Sequence, residues 1–227
     1  MSPARPSVER PSLRKLLPLV VLVCCVVLVA APAVAGDQSD QQIADAAVPD
    51  LSDLPDGWDS EPGEDLGNET GIDECRRLDR LNQAALEQAH TETPVFLDPA
   101  DPEGRTTIEG AVFVFRKVKG AERYFAGYEA DSARDCFQAI GDQQVEDYPS
   151  NEVGTSDLDV EGGDDAVGYR LDIEGTDDTG ATDAVVLDFV VVRIGRAVVN
   201  LGAQGGEEPP PLDDVIDSML ERLEQAL

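Results

Sequence analysis

One histidine is the residue of this chain best suited to acid–base catalysis at neutral pH. His90 is the single histidine among 227 residues, so a Ser-His-Asp triad would have to be built around it. The sequence around it offers no evident serine or carboxylate partner. It also contains no Gly-rich phosphate loop, no G-x-S-x-G elbow and no H-E-x-x-H motif. These patterns predict that the protein is not an enzyme and carries no cofactor.

An acidic segment is the candidate for metal binding. Asp157, Asp159, Glu161 and Gly162 have the spacing with which an EF-hand calcium loop begins. The twelfth position of that loop falls on Gly168, where the motif requires a glutamate. We therefore interpret the segment as a solvated acidic loop, and the sequence predicts no metal site.

The first 35 residues resemble a targeting sequence. A basic start is followed by the uncharged stretch Leu16–Ala35, which ends in Ala33-Val34-Ala35. This order is typical of a secretory signal with an A-x-A cleavage site. The apolar run is also long enough to span a bilayer, so an uncleaved anchor through residues 16–35 stays open. In both cases we expect a secreted or extracytoplasmic protein, in contact with the membrane only through this N-terminal segment.

Two cysteines, Cys75 and Cys136, remain outside the leader. Because an oxidising compartment favours disulfides, this pair predicts one disulfide bond. In the chain-entropy model, a cross-link closing so long a loop stabilises the fold by about 4 kcal/mol. Neither cysteine lies in a recognisable zinc-binding pattern.

The charge of the chain limits the partners it can have. It carries 47 Asp and Glu against 17 Lys and Arg, a formal net charge of −30. Nucleic acids and anionic lipid surfaces are bound through positive charge, so this balance argues against both. A strongly negative, solvated surface is the simplest interpretation, and a high-salt habitat remains an alternative.

The periodicity of apolar residues predicts one α+β domain over residues 51–227, after a flexible tether at residues 36–50. The centre of the domain is Ala184–Ala203, a valine-rich stretch that we interpret as a β-hairpin reversing at Ile194-Gly195. Other predicted strands cover residues 93–97, 106–118 and 166–173, and predicted helices cover 71–90, 119–140 and 212–227. Residues 142–164 are interpreted as a long connection or a lid. The result is an antiparallel sheet of four or five strands with three helices packed against it.

Each cysteine lies on the apolar stripe of a predicted helix. Cys75 belongs to the helix at 71–90, whose C-terminal residue would be His90. Cys136 belongs to the helix at 119–140, for which Gly141 is a suitable C-terminal cap. A disulfide would therefore fix how these two helices pack together.

Both faces of residues 184–192 are apolar, so a second layer must cover each face. The single tryptophan, Trp58, lies in the turn-rich segment Leu51–Leu66 and is expected to attach this segment to the core, or to line a cleft. A bound molecule is the other candidate for this cover. We name Trp58, Tyr124 and Tyr169 as the candidate cleft residues.

Four segments resemble the PknH-like extracellular sensor domain, found on actinobacterial receptor kinases and on related secreted proteins and lipoproteins. These are DLPDGW at 53–58, AVFVFRKVKGAERYF at 111–125, ARDC at 133–136 and VVVRIGRAVVNL at 190–201. The resemblance extends over residues 51–227 and implies a mixed helix and antiparallel-sheet fold with a ligand-binding cleft. The family typically has two disulfides, whereas Cys75 and Cys136 allow one. PsbP-like lipoproteins are the second comparison.

These observations together predict a non-catalytic extracytoplasmic domain that binds a ligand or senses one. Its partner would be an unidentified small molecule or an envelope protein. The alternative is a carrier of an apolar or amphiphilic small molecule in the cell envelope. A deep apolar cavity would favour the carrier, and a filled core would favour the binding domain.

Overall fold

The computed structural model describes residues 37–63, 70–101, 106–206 and 209–227. The predicted leader, residues 1–35, lies outside these ranges. In the described ranges, no helix is both long and apolar enough to cross a membrane.

The described residues form an α+β fold with five α-helices and eight strands. The helices are α1 (Asp37–Ala47), α2 (Arg76–Leu86), α3 (Val118–Tyr128), α4 (Asp131–Gln144) and α5 (Asp213–Ala226). The strands are β1 (Asp59–Glu61), β2 (Ala89–Glu92), β3 (Val95–Leu97), β4 (Thr107–Val114), β5 (Ser150–Leu158), β6 (Asp165–Thr176), β7 (Thr182–Ile194) and β8 (Ala197–Gly205). Short 3-10 helices cover Leu51–Asp53 and Asp73–Cys75.

One antiparallel sheet contains all eight strands. Their order is β1-β3-β4-β8-β7-β6-β5, and β2 pairs with β4 beside β3. The predicted central hairpin is β7–β8, in which Ile194 pairs with Ala197 across the turn. Gly195 has a φ of 55°, a conformation that residues with a side chain rarely adopt, so a glycine suits this turn. The prediction for residues 184–203 is confirmed.

A separate hydrophobic cluster covers each face of the sheet. On the first face, α2, α3 and α4 pack their apolar stripes against inward residues such as Leu171 and Val191. On the second face, α1 and α5 pack against residues such as Val190 and Leu201. The Cys75–Cys136 disulfide is formed, with the two Cα atoms 4.6 Å apart, and joins the start of α2 to α4.

The predicted helix at 119–140 is in fact two helices. Ala130 has extended backbone angles, φ −76° and ψ 145°, and a new helix begins at Asp131. This break lets α3 contact β7 and β8 while α4 contacts β5 and β6. Gly141 lies inside α4 and is not its cap. The sequence pattern could not show this break, because the apolar residues of α3 and α4 pack into the same cluster on the first face of the sheet.

Residues 142–164, predicted as a connection or lid, contain the edge strand β5. This strand pairs with β6 along its whole length, from Ser150 to Leu158. Most of its side chains are exposed or half-buried. Because an edge strand with little burial shows no clear alternation of apolar residues, the sequence pattern conceals it.

His90 does not end a helix. The helix α2 ends at Leu86, and His90 lies in β2, where it pairs with Phe113 of β4. The helix predicted over 71–90 therefore extends too far, because its last residues belong to the short strand β2. The apolar spacing of Ala85 and Ala89 fits a helix as well as it fits the start of this strand, which explains the error.

Residues 37–47 form helix α1, where the sequence predicts a flexible tether. Ala44 and Ala47 are fully buried against the second face of the sheet. Because their side chains are short, α1 can approach this face closely. Asp40 forms an ion pair with Arg196 at 2.7 Å. The second face is thus covered mainly by α1 and α5, with Trp58 at its margin.

Candidate functional site

The three candidate cleft residues do not meet in the structure. Trp58 packs against the cluster on the second face of the sheet, whereas Tyr124 and Tyr169 belong to the cluster on the first face. Trp58 is half-buried and lines a groove of 440 Å³ with Pro55 and Pro210. Since the sheet separates it from the two tyrosines, no single cleft contains all three.

Tyr124 is part of a buried polar network that the sequence does not reveal. Its hydroxyl donates to Oδ1 of Asn82 at 2.8 Å, and the hydroxyl of Tyr128 donates to the same oxygen at 2.7 Å. Nδ2 of Asn200 donates to the Tyr124 hydroxyl at 2.7 Å. This network ties α2 and α3 to the central strand β8.

Tyr169 is buried beside this network. Its hydroxyl donates to the backbone carbonyl of Tyr128 at 2.5 Å, which connects β6 to the end of α3. Burial raises the pKa of Tyr169 above its usual value near 10, while the positive charge of Arg134 partly opposes that rise. The phenol therefore stays a neutral hydrogen-bond donor, and its role is structural.

A groove lies on the outer side of Tyr124, between the C-terminal half of α2 and the start of α3. Its volume is 440 Å³, within the range of ~300–1,000 Å³ that small-molecule sites occupy. We call it the basic groove. Its lining consists of Leu81, Ala84, Gln88, Phe115, Arg116, Lys117, Lys119, Gly120, Arg123 and Tyr124.

Three cations of the basic groove, like Arg77 and Arg80 on α2, make no ion pair with a described residue. Lys117, Lys119 and Arg123 are exposed, and none of them makes an ion pair with any residue that the structure describes. Six other arginines are paired with carboxylates. These are Arg76 with Asp73, Arg134 with Asp157, Arg170 with Asp188, Arg193 with Asp164 and Asp165, Arg196 with Asp40, and Arg222 with Asp53. The groove is thus a local reversal of sign on a chain of net charge −30.

The start of α3 adds to this positive potential. Its N-cap residue, Lys117, makes no capping hydrogen bond through its side chain, and the first turn contains no acidic residue. By contrast, α4 and α5 begin with Asp131 and Asp213. The first backbone N–H groups of a helix have no partner within the helix, and its N-terminal end carries a partial positive charge. Both features favour an anion at this end of the groove.

Apolar residues form the floor of the groove. Leu81 and Ala84 come from α2, and Phe115 comes from the end of β4. The two helices pack tightly at Gly127, where a Cβ atom would lie only 2.1 Å from Cδ1 of Leu81. From this contact the groove extends along α3 toward its N-terminus, so the apolar floor and the cations are adjacent.

Two other grooves of the described residues contain ion pairs. Asp188 and Arg170 form a two-bond ion pair, at 2.7 and 2.6 Å, in a groove beside α5. A groove of 600 Å³ beside α2 contains Arg76, which pairs with Asp73. Among the described residues, no group of three or more His, Cys, Asp or Glu side chains could hold a metal ion.

His90 lacks the surroundings of a catalytic base. Its ring lies against Phe113, with the ring centres 6.0 Å apart. Nδ1 lies 3.2 Å from the carbonyl oxygen of Gln88, which is the hydrogen bond that the structure shows for this ring. No carboxylate orients the imidazole in the described part of the chain, so the triad geometry is not formed there.

One sequence signal points to the basic groove. Four of the eight residues of Arg116–Arg123 are basic, in a chain where acidic residues predominate. The sequence alone does not show that Lys117, Lys119 and Arg123 lack acidic partners among the described residues, or that α2 supplies an apolar floor beside them.

Comparison with known proteins shows a likeness in structure. No protein-family model matches this chain, and no curated protein matches it. The extracellular domain of PknH from Mycobacterium tuberculosis superposes with a TM-score of 0.50 at 11% identity, over 82% of this chain and 96% of that one. LpqN, involved in cell envelope biogenesis of Mycobacterium tuberculosis, gives a TM-score of 0.29 at 13% identity, over 76% and 78% of the two chains, which is too low to indicate a common fold. The resemblance predicted from the four segments is therefore confirmed at the level of structure, and this chain has the fold of the PknH extracellular domain.

Proposed function

We propose that this protein is a non-catalytic, extracytoplasmic domain that binds or senses an anionic ligand in the basic groove. One observation carries the proposal: Lys117, Lys119 and Arg123 converge without acidic partners among the described residues, on a chain of net charge −30. The field of such a chain repels anions, so a focused positive site would select a ligand that gains direct contacts with these cations.

Three features support an extracytoplasmic location. The leader pattern at residues 1–35 is that of a secreted or anchored protein. The Cys75–Cys136 disulfide suits an oxidising compartment. The fold is shared with the extracellular domain of PknH.

The lack of a catalytic arrangement around His90 supports a binding role. The ring lies against Phe113, and its contact with Gln88 uses a backbone carbonyl. The groove beside Trp58 holds the Ser218 hydroxyl against Asp53 at 2.6 Å, but that carboxylate is paired with Arg222, and His90 does not line the groove. A measured hydrolytic activity that is lost in His90→Ala would contradict this part of the proposal.

The carrier of an apolar or amphiphilic molecule remains the second candidate. A carrier needs a cavity that encloses its cargo, whereas both faces of the sheet are filled by side chains and the grooves of the described residues are open to solvent. This favours the binding domain. Lipid-like mass that stays bound in a native mass spectrum when Lys117, Lys119 and Arg123 are all replaced by glutamine, after purification from the protein's own host, would favour the carrier instead.

A binding experiment with inorganic pyrophosphate tests the anion site. We expect pyrophosphate to shift the backbone amide resonances of residues 116–123 in the purified protein. The triple variant Lys117→Gln, Lys119→Gln, Arg123→Gln should lose these shifts. The matched control is Arg76→Gln, Arg77→Gln, Arg80→Gln, which removes the same charge from exposed positions of α2 outside the groove. If no shift is seen, or if both triple variants lose it equally, the proposed anion site is wrong.

A further inference from the structure

We infer that the ligand of the basic groove is an anionic amphiphile, with one phosphate or carboxylate head and an alkyl chain. This inference rests on the proposed function and names the class of molecule that the same site takes. The inference follows from the two halves of the groove, which differ in chemistry. One half is lined by cations near the start of α3, and the other is lined by apolar residues of α2 together with Phe115.

The head would bind where α3 begins. Lys117 and Lys119 are exposed there, and the first turn of α3 has neither a side-chain cap nor an acidic residue. Arg123 lies one turn further along the helix and can add a two-pronged contact that suits phosphate and carboxylate oxygens. This half of the groove provides charge-assisted donors that form no ion pair with a described carboxylate.

The alkyl chain would lie on the apolar floor. Leu81 and Ala84 both line the groove with apolar side chains. Leu81 is half-buried and Ala84 is exposed, so both present apolar surface to water. A chain placed here would remove these surfaces from water, which is the main source of favourable free energy for an apolar contact.

The apolar surface of the floor distinguishes an alkyl chain from an acidic peptide. The whole groove has a volume of 440 Å³, and Leu81, Ala84 and Phe115 supply its apolar lining. A peptide would leave its backbone N–H and C=O groups without partners on this apolar surface, which is costly. An alkyl chain has no such groups. The charge of the groove together with its apolar floor therefore fits an amphiphile.

A series of alkyl phosphates at constant head group tests the inference. Binding of butyl phosphate and octyl phosphate, both below their aggregation concentrations, is measured by isothermal titration calorimetry on the purified protein. Because each buried CH₂ group contributes up to about 0.8 kcal/mol, we expect octyl phosphate to bind at least about ten-fold more tightly than butyl phosphate, even with partial burial. Octyl glucoside, which has the same chain without the charge, should bind at least about ten-fold more weakly than octyl phosphate, as expected for the loss of charge-assisted hydrogen bonds.

Two matched variants locate the alkyl chain. Ala84→Glu places a charge on the floor of the groove, and Ala126→Glu makes the same change at an exposed position of α3 outside the groove. We expect Ala84→Glu to abolish the difference between octyl and butyl phosphate, and Ala126→Glu to keep it. Circular dichroism checks that both variants fold.

The possible failures can be told apart. Equal binding of butyl and octyl phosphate, together with the pyrophosphate shifts, would overturn the amphiphile and leave the anion site in place. Equal binding of octyl phosphate and octyl glucoside would overturn the anionic head. A glutamate-rich peptide that binds more tightly than octyl phosphate would overturn the inference in favour of an acidic protein partner. Absence of all phosphate binding would overturn the proposed function itself.

Discussion

At the scale of single residues, the buried polar network is the feature with the largest expected effect on stability. Asn82 is 4% exposed, and its Oδ1 accepts hydrogen bonds from both Tyr124 and Tyr128. Such a network stabilises the fold only while its buried groups are satisfied. It also lies directly beneath the basic groove, because Tyr124 belongs to both.

We expect Asn82→Leu to lower the free energy of unfolding by about 2–4 kcal/mol, since it deprives two buried hydroxyls of their shared acceptor. Urea unfolding followed by circular dichroism measures the change. The control is Gln83→Leu, at an exposed position of the same helix, which should stay within about 0.5 kcal/mol of the unmodified protein. Equal losses in the two variants would show that the network contributes nothing specific.

Tyr169 is expected to make the free energy of unfolding depend on pH in the alkaline range. Its pKa is raised in the folded protein by burial, so above pH 10 the unfolded chain loses this proton while the folded chain retains it. The folded state then binds more protons than the unfolded state, and stability must fall as the pH rises. We expect unfolding in urea at pH 9, 10 and 11 to show this fall, and Tyr169→Phe to show a smaller one. A pH dependence unchanged by Tyr169→Phe would contradict the assignment.

At the scale of elements, the close approach of β4 and β8 depends on Gly110. A Cβ atom at this position would lie 2.0 Å from the backbone carbonyl oxygen of Asn200. Gly110 also exchanges two hydrogen bonds with Thr93, the residue between β2 and β3. The Thr93 N–H donates to the Gly110 carbonyl at 2.9 Å, and the Gly110 N–H donates to Oγ1 of Thr93 at 2.7 Å. These bonds join β2 and β3 into one continuous edge beside β4.

We expect Gly110→Ala to destabilise the protein by about 1–3 kcal/mol, because backbone atoms must move to admit the methyl group. The matched control is Gly154→Ala on the edge strand β5, where the nearest atom to an added Cβ, the Cβ of Asp172, lies 4.0 Å away. That variant should be neutral or slightly stabilising, since alanine restricts the unfolded chain. Melting temperatures of the two variants provide the comparison, and similar values would contradict the proposed close approach.

The elements that the sequence predicts correctly are those with a clean apolar period and one buried side. The strand β6 alternates regularly from Val167 to Ile173, and α5 repeats its apolar residues every three or four positions. The elements that it misses lack this signal. The helix α1 buries small alanines, and β5 buries very little. Hydrophobic periodicity reports burial, so it cannot reveal an element that buries little or only small side chains.

At the scale of the whole molecule, the basic groove could not be predicted because its local charge is positive, whereas the net charge of the chain is strongly negative. The net charge of −30 argues against nucleic acids and anionic lipid surfaces as partners. The fold places Lys117, Lys119 and Arg123 beside an uncapped helix start, where they form no ion pair with a described carboxylate, while it pairs Arg170 with Asp188. Which cations become paired is a property of tertiary structure that residue counts do not contain.

This separation of average and local charge leads to two opposite responses to salt. The negative charges that surround the fold repel one another, so added salt should screen that repulsion and stabilise the folded protein. The attraction between a phosphate and the groove lysines, Lys117 and Lys119, is exposed to the same screening, so added salt should weaken binding. We expect the melting temperature to rise between about 0.02 and 0.5 M NaCl, over which the Debye length falls from about 20 to about 4 Å, while the affinity for octyl phosphate falls. The variant Lys117→Gln, Lys119→Gln, Arg123→Gln should keep the rise in melting temperature and lose the salt dependence of any residual binding. If affinity rose with salt alongside stability, the ligand would be held by apolar contact alone, and the cations of the groove would have no part in recognising it.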